Sequence, residues 1–191
     1  MPFAYYSRLS KRDQAIYRQS ASVTEIELDQ TDAAKQKTRL LQVALADGDR
    51  LRIQASAQAL SDVILTQLGV CKLVVRVLAV RPSSARSELH GLYERTQRQP
   101  AVVRVWMRTA VHKRVVSFRT FLRTLVHELC HHLDYELYKL PDSFHTEGFF
   151  KRESSLVRQL LVTGRAVQKS AEDLYAFPDQ PLAPLLAKVT K

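Results

Sequence analysis

The segment TLVHELCHHLD contains the pattern HExxH, in which His127 and His131 stand four residues apart and Glu128 directly follows the first histidine. Residues four apart lie on the same face of a helix, so both imidazoles can bind one metal ion at about 2.0–2.1 Å. Glu128 is rotated by about 100° from His127 and can accept a proton from a water molecule at the metal. The motif therefore predicts a metal-dependent hydrolase with Glu128 as its catalytic base.

A catalytic zinc site needs three protein ligands and one open position, so one more ligand is expected downstream. His145, 14 residues after His131, is the first candidate, because it follows a turn at Pro141 and opens the next helical segment. Glu147 and Glu153 are the alternatives, since a glutamate on a following helix is the third ligand in other HExxH enzymes. The predicted cofactor is one Zn²⁺ per chain. Asp134 projects toward nearly the same face as the two motif histidines and can orient a ligand imidazole.

The elements that must position these residues follow from the hydrophobic pattern. Helices are predicted over residues 10–19, 31–46 and 51–68, strands over residues 72–80, 89–96 and 101–109, an HExxH helix from Ser117, and a further helix from near His145 past Leu161. In the third strand, Val103, Val105 and Met107 share one face, while Arg104, Trp106 and Arg108 share the other. The sequence thus predicts an α+β fold with a small mixed or antiparallel sheet, preceded by N-terminal helices.

Length and composition fit one compact unit of 191 residues with 46% hydrophobic and 25% charged residues. We expect an N-terminal helical region over 1–70, a catalytic domain over 71–177 and a tail over 178–191. Cys71 and Cys130 form no CxxC pattern, which excludes an all-cysteine zinc site, and no glycine-rich phosphate loop is present. No apolar run is long enough to cross a membrane, so a cytoplasmic protein, including one associated with a nucleoid or nucleus, is expected.

Positive charge is concentrated in one part of the chain. Of the 29 Lys and Arg residues, twelve lie between Lys72 and Arg123, where only Glu88 and Glu94 oppose them. Such a segment is a candidate surface for nucleic acid, and a solvated basic sheet face is the alternative. The predicted nucleic-acid or substrate-binding residues are Arg104, Trp106, Arg108, Lys113 and Arg114. The strand over 104–109 is also expected to offer an exposed edge to an extended substrate.

Together, the strand, the helix with TLVHELCHHLD, the turn and the following HTEGFF resemble the SprT-like (Spartan-like) zinc metallopeptidases. The resemblance covers about 102–161, and the match of His145, Gly148 and Phe149 to the family's third-ligand segment is approximate. It implies a zincin-like fold, His127, His131 and His145 as zinc ligands, and protein substrates that include DNA-associated proteins. Some members carry a four-cysteine zinc ribbon for DNA, and this sequence has no cysteine after Cys130.

The sequence therefore predicts a zinc-dependent endopeptidase that hydrolyses peptide bonds by Glu-activated water, with a protein or peptide substrate and with DNA as a further partner through residues 72–123. Three alternatives stay open at this stage. One is a nucleic-acid-binding module with a structural zinc site. Another is a gluzincin-like peptidase with Glu147 or Glu153 as third ligand and no DNA role. The last is a metal-dependent hydrolase with a non-peptide substrate.

Overall fold

The computed structural model describes residues 2–83, 88–96 and 99–161. In chain order these form a 3-10 helix Ala4–Arg8, α1 Lys11–Ser22, α2 Thr31–Asp47, α3 Arg50–Gln67, β1 Val74–Val80, β2 Gly91–Glu94, β3 Val102–Arg108, α4 Phe118–Glu136 and α5 Glu147–Leu160. This content confirms the predicted α+β class. The predicted tail, 178–191, and the end of the predicted catalytic domain, 162–177, lie outside the described residues. The domain boundary at residue 70 stays a prediction.

Most helices begin at a residue whose side chain can cap the first turn. The hydroxyl of Ser10 accepts a hydrogen bond from the backbone of α1 at 3.1 Å, and that of Ser117 accepts one in α4 at 3.3 Å. Thr146 does the same for α5 at 3.0 Å, so this helix begins just after His145, as predicted. Such caps satisfy N–H groups that have no partner within the helix. The end of α5 at Leu160 falls before the predicted end past Leu161.

The three strands form one mixed sheet in the order β1-β3-β2. β1 runs parallel to β3, and β2 runs antiparallel to it. α3 packs on β1, while α4 packs on β2 and β3. The alternating residues Val103, Val105 and Met107 are buried, which confirms the predicted apolar face of β3. The sheet is thus the support on which the HExxH helix lies.

The prediction that 104–109 forms an exposed sheet edge is wrong. β3 is the central strand, paired with β1 on one side and with β2 on the other. Beyond Gly91, the first residue of β2, the backbone N–H of Val116 donates to the carbonyl oxygen of Met107 at 2.9 Å on the same side of β3. The edge strand next to α4 is β2 instead. Strand order depends on long-range pairing, which the local alternation of residues does not encode.

A single hydrophobic core joins the N-terminal helices to the sheet and the site helices. Leu41 of α2, Ile64 of α3, Val105 of β3, Leu125 of α4 and Phe149 of α5 are buried members of one cluster. The N-terminal helices therefore help to position α4 and α5 directly. None of the helices within the described ranges combines the length and apolar character needed to cross a bilayer.

Gly148 marks the closest approach between α1 and α5. A Cβ atom at this position would lie 2.4 Å from the carbonyl oxygen of Ser20 and 2.7 Å from that of Val23. We expect Gly148→Ala to lower the free energy of unfolding by about 2 kcal/mol, because backbone atoms must move to admit the methyl group. Urea denaturation measures the change, with Lys151→Ala on the exposed side of the same helix as control. Equal midpoints for the two variants would contradict this packing.

Candidate metal centre

α4 brings the two motif histidines together. His127 and His131 are one helical turn apart, with ring centroids separated by 5.1 Å. The apolar residues Phe121, Leu125 and Leu129 are fully or nearly fully buried and fix the rotation of the helix. Because α4 is held by this packing, the two imidazoles have a defined direction before any metal binds.

His145 completes the group from the segment between α4 and α5. Its Nε2 atom lies 3.0 Å from Nε2 of His127 and 3.2 Å from Nε2 of His131. Within the described residues, the group of side chains able to hold a metal ion is formed by these three histidines. The structure thus brings His145, and not Glu147 or Glu153, into the cluster with the two motif histidines, and the role of His145 as a metal ligand stays a prediction.

The chemistry of this donor set fits a metal ion. Three imidazole nitrogens around a tetrahedral ion at 2.0–2.1 Å would be about 3.3 Å apart, close to the observed separations. Burial lowers the pKa of His145 to about 3, and burial followed by the charge of His127 lowers the pKa of His131 well below its usual value. Both rings are thus neutral near pH 7, which is the form that binds metal.

His127 is oriented by a buried carboxylate. Its Nδ1 atom lies 2.9 Å from Oε2 of Glu153, and the other oxygen of Glu153 accepts from Nε of Arg123 at 2.5 Å. Desolvation acts to lower the pKa of His127, but the hydrogen bond to Glu153 and the charge of Glu128 outweigh it and raise the pKa overall. Glu153 thus contacts the nitrogen that faces away from the cluster, which is the position of a group that orients a ligand imidazole.

His131 is held by a chain of two further residues. Its Nδ1 atom lies 2.7 Å from the hydroxyl of Ser143, which donates to Oδ2 of Asp134 at 2.7 Å. Asp134 therefore reaches His131 through Ser143 and not by direct contact, and its role in orienting a metal ligand stays a prediction. Sequence reasoning missed Ser143, because a serine next to an aspartate in a turn is an ordinary pattern there.

Glu128 lies between the HExxH helix and the edge strand. Its side chain is 6% exposed, and a Cβ atom at Gly91 would fall 2.3 Å from its Oε1. Burial raises the pKa of Glu128 to about 7, while the charge of His127 and a hydrogen bond from the backbone N–H of Tyr93 act in the opposite direction. A carboxylate with such a pKa can both accept and return a proton near neutral pH.

Tyr93 of β2 lies over the same helix but uses its hydroxyl elsewhere. Its ring stacks on His131 at a centroid distance of 6.3 Å, and its hydroxyl lies 3.1 Å from Nδ1 of His132. Nε2 of His132 in turn lies 2.8 Å from the carbonyl oxygen of Cys71. His132 is therefore a buried link between α4 and the start of β1 and stays outside the ligand group.

Of the residues predicted to bind nucleic acid or substrate, those on β3 are paired or buried, whereas those in the turn after β3 are exposed. Arg104 forms an ion pair with Glu94, and Arg108 is half-buried and donates to the carbonyl of Lys113 at 3.0 Å. Trp106 is only 7% exposed, which does not fit its prediction as a nucleic-acid or substrate-binding residue. Lys113 and Arg114 are exposed in the turn between β3 and α4.

Comparison with protein-family models, with curated proteins and with solved structures finds no match to this chain. The similarity of TLVHELCHHLD and HTEGFF to SprT-like proteins stays a prediction from the sequence. The functional argument therefore depends on the geometry of the three histidines, on Glu128 and on the groups that orient them.

His145→Ala should lose most of the bound metal, because it removes one of three converging nitrogens. Glu153→Gln should retain a metal ion but bind it about 10-fold to 100-fold more weakly, because the carboxylate that orients the His127 ring is lost. Metal content after dialysis and a competition titration with a chelator measure both effects. His112→Ala, an exposed histidine in the turn before α4, is the control. Full metal retention in His145→Ala, with loss in Glu153→Gln, would make Glu153 the third ligand.

Proposed function

We propose that this chain is a zinc-dependent endopeptidase of the zincin type, similar to the SprT-like metallopeptidases. The observation that carries the proposal is the convergence of three imidazole Nε2 atoms at 3.0 and 3.2 Å on a helix that also presents Glu128. Three imidazole nitrogen ligands suit zinc and leave one position open. His127, His131 and His145 would hold the ion.

When bound at this site, zinc lowers the pKa of a water molecule and polarises a substrate carbonyl. The protein supplies the proton transfers. Glu128 accepts one proton as the water oxygen forms its bond to the carbonyl carbon. Glu128 then donates that proton to the departing amide nitrogen as the C–N bond breaks, which leaves one amine and one carboxylic acid that keeps the second proton of the water. The contact with Gly91 and the N–H of Tyr93 hold the Glu128 carboxylate in one place.

β2 is the strand that an extended peptide substrate would join. It is the edge strand beside α4, and its residues Gly91 and Tyr93 contact Glu128 and His131. An edge strand has unpaired backbone groups that can accept an added strand. A peptide bound there would run along the row of metal ligands, so its carbonyl groups would pass the position of the ion.

Glu128→Gln should lower peptide hydrolysis by about 100-fold to 10,000-fold, because the amide cannot accept the proton of the attacking water. Metal content should stay at one ion per chain, since no ligand is changed. Cleavage of casein and of the chain itself is the assay. Glu25→Gln, whose side chain is 61% exposed, is the control and should cleave as the wild type does. Full activity in Glu128→Gln would overturn the mechanism.

The exposed basic turn favours a second role, binding to nucleic acid next to the cleft. Lys113 and Arg114 are exposed before α4, and Arg119 is exposed in its first turn. Eight residues of helix separate Arg119 from His127, or about 12 Å. Phosphate groups bound by these side chains would bring a DNA-associated protein close to the metal centre. We propose that such proteins are one class of substrate.

Replacing both Lys113 and Arg114 by Ala should weaken duplex DNA binding and reduce the slope of log affinity against log salt by about 2, because two phosphate contacts are lost. Fluorescence anisotropy over a range of salt concentrations measures the slope. The matched control removes the same charge at Lys11 and Arg12, which are exposed on α1. Equal slopes would exclude this turn from the interface. Steep salt dependence without cleavage of any protein would favour a binding module with a structural zinc.

A further inference from the structure

The first residues of the described chain lie against the segment that carries His145. The hydroxyl of Tyr5 donates to the carbonyl oxygen of His145 at 2.7 Å. Phe3 packs edge-on against Phe150, with ring centroids 6.0 Å apart, and Phe150 stacks on the His145 ring at 5.8 Å. The backbone of His145 therefore contacts Tyr5 in the 3-10 helix. The ring of His145 is connected through Phe150 to Phe3, which comes just before that helix.

α1 continues these contacts toward the start of α5. The hydroxyl of Tyr17, which is 1% exposed, donates to Oε2 of Glu147 at 2.8 Å. The hydroxyls of Ser20 and Thr146 lie 3.1 Å apart, and both side chains are fully buried. Three consecutive residues, His145 to Glu147, are thus each bonded to the N-terminal part of the chain.

The end of α1 is fixed to α5 by a buried arginine. Nη1 of Arg152 donates to the carbonyl oxygens of Ser20 and Val23 at 2.6 Å each, and Nη2 donates to Asp134 at 2.6 Å. Gly148 allows the same carbonyls to approach the first turn of α5. These contacts connect the end of α1 to the residue that orients His131 through Ser143.

His145 needs such support more than the other two ligands do. His127 and His131 belong to α4, whose backbone is fixed by helical hydrogen bonds, whereas His145 belongs to the irregular connection before α5. A residue in an irregular segment loses more conformational freedom when it is held in one geometry. The energy that holds His145 in place must come from contacts outside its own segment. Its ring packs against Phe149 and Phe150 of α5, and its backbone carbonyl is bonded by Tyr5 of the N-terminal residues 3–23.

We propose that residues 3–23, here called the N-terminal clasp, position His145 and so control how long the metal ion stays bound. Tyr5 is the positioning residue at the centre of the clasp, because its hydroxyl reaches the third ligand itself. The inference rests on the proposed zinc site. Without the contacts of the clasp, two ligands would remain on α4 and the third could move away. Any event that displaces residues 3–23 would therefore first cause loss of the metal ion.

The test compares Tyr5→Phe with Tyr6→Phe in the full chain loaded with Zn²⁺ or Co²⁺. Tyr6 is the matched control, because its hydroxyl accepts from Arg18 and not from the His145 segment. Release of Zn²⁺ to a chromogenic chelator should be about 10-fold faster in Tyr5→Phe than in the wild type, and unchanged in Tyr6→Phe. The visible absorption of Co²⁺, which reports its coordination, should change in Tyr5→Phe alone. Thermal unfolding of the metal-free variants should be nearly equal, which separates positioning from general stability.

If Tyr5→Phe and Tyr6→Phe release Zn²⁺ at the same rate, and the wild type binds it tightly, the clasp proposal is overturned and the proposed zinc site is not. Faster release from Tyr5→Phe together with failure to cleave any peptide would support the clasp and overturn the peptidase. Failure of the wild-type chain to bind either metal would overturn both. If Tyr5→Phe lowers the unfolding temperature strongly, Tyr17→Phe provides the second variant, since it removes the bond to Glu147 while keeping the ring. If a folded Tyr17→Phe variant releases Zn²⁺ at the wild-type rate, the clasp proposal is overturned.

Discussion

The arrangement of the metal centre depends on one buried ion pair between Arg152 of α5 and Asp134 of α4. Both side chains are 0% exposed, and their closest atoms are 2.6 Å apart. Removing two charges from water is costly, and such a pair is tolerated only when further hydrogen bonds satisfy its atoms. Here the carbonyls at the end of α1 and the hydroxyl of Ser143 provide such bonds to both partners, and Nε of Arg152 is the buried atom of the pair without one. The pair therefore fixes three elements and one ligand histidine relative to each other.

Acidic residues near the histidines are used to orient ligands, and this explains the composition of the site. Glu153 faces Nδ1 of His127, and Asp134 reaches His131 through Ser143. An orienting partner fixes the tautomer so that Nε2 points at the ion. Burial acts to raise the pKa of both acids; the hydrogen bond to His127 and the charge of Arg123 lower that of Glu153 overall, whereas the charge of Arg152 does not offset the effect of burial on Asp134. Each carboxylate acts, directly or through Ser143, on a ring nitrogen that faces away from the cluster.

The local patterns predicted what depends on local sequence. The period of the apolar residues located α4, Ser117 marked its start, and the turn at Pro141 placed His145 within reach of the HExxH helix. Strand order was not predictable in this way, because the pairing of β3 with both neighbours is decided by contacts far apart in the chain. The burial of Trp106 likewise depends on contacts between residues that are far apart in the chain. Ser143 differs from any other turn serine only in its three-dimensional neighbours.

The contacts of the clasp have a consequence for the order in which the molecule forms. Tyr5 and His145 are 140 residues apart, whereas the two histidines of α4 are neighbours on one helix. Contacts between distant residues form late, because closing a long loop costs entropy before any contact compensates it. A growing chain would present two imidazoles early and bring the third to them only when residues 3–23 meet the segment that carries His145. The group of three histidines would thus be completed late in folding.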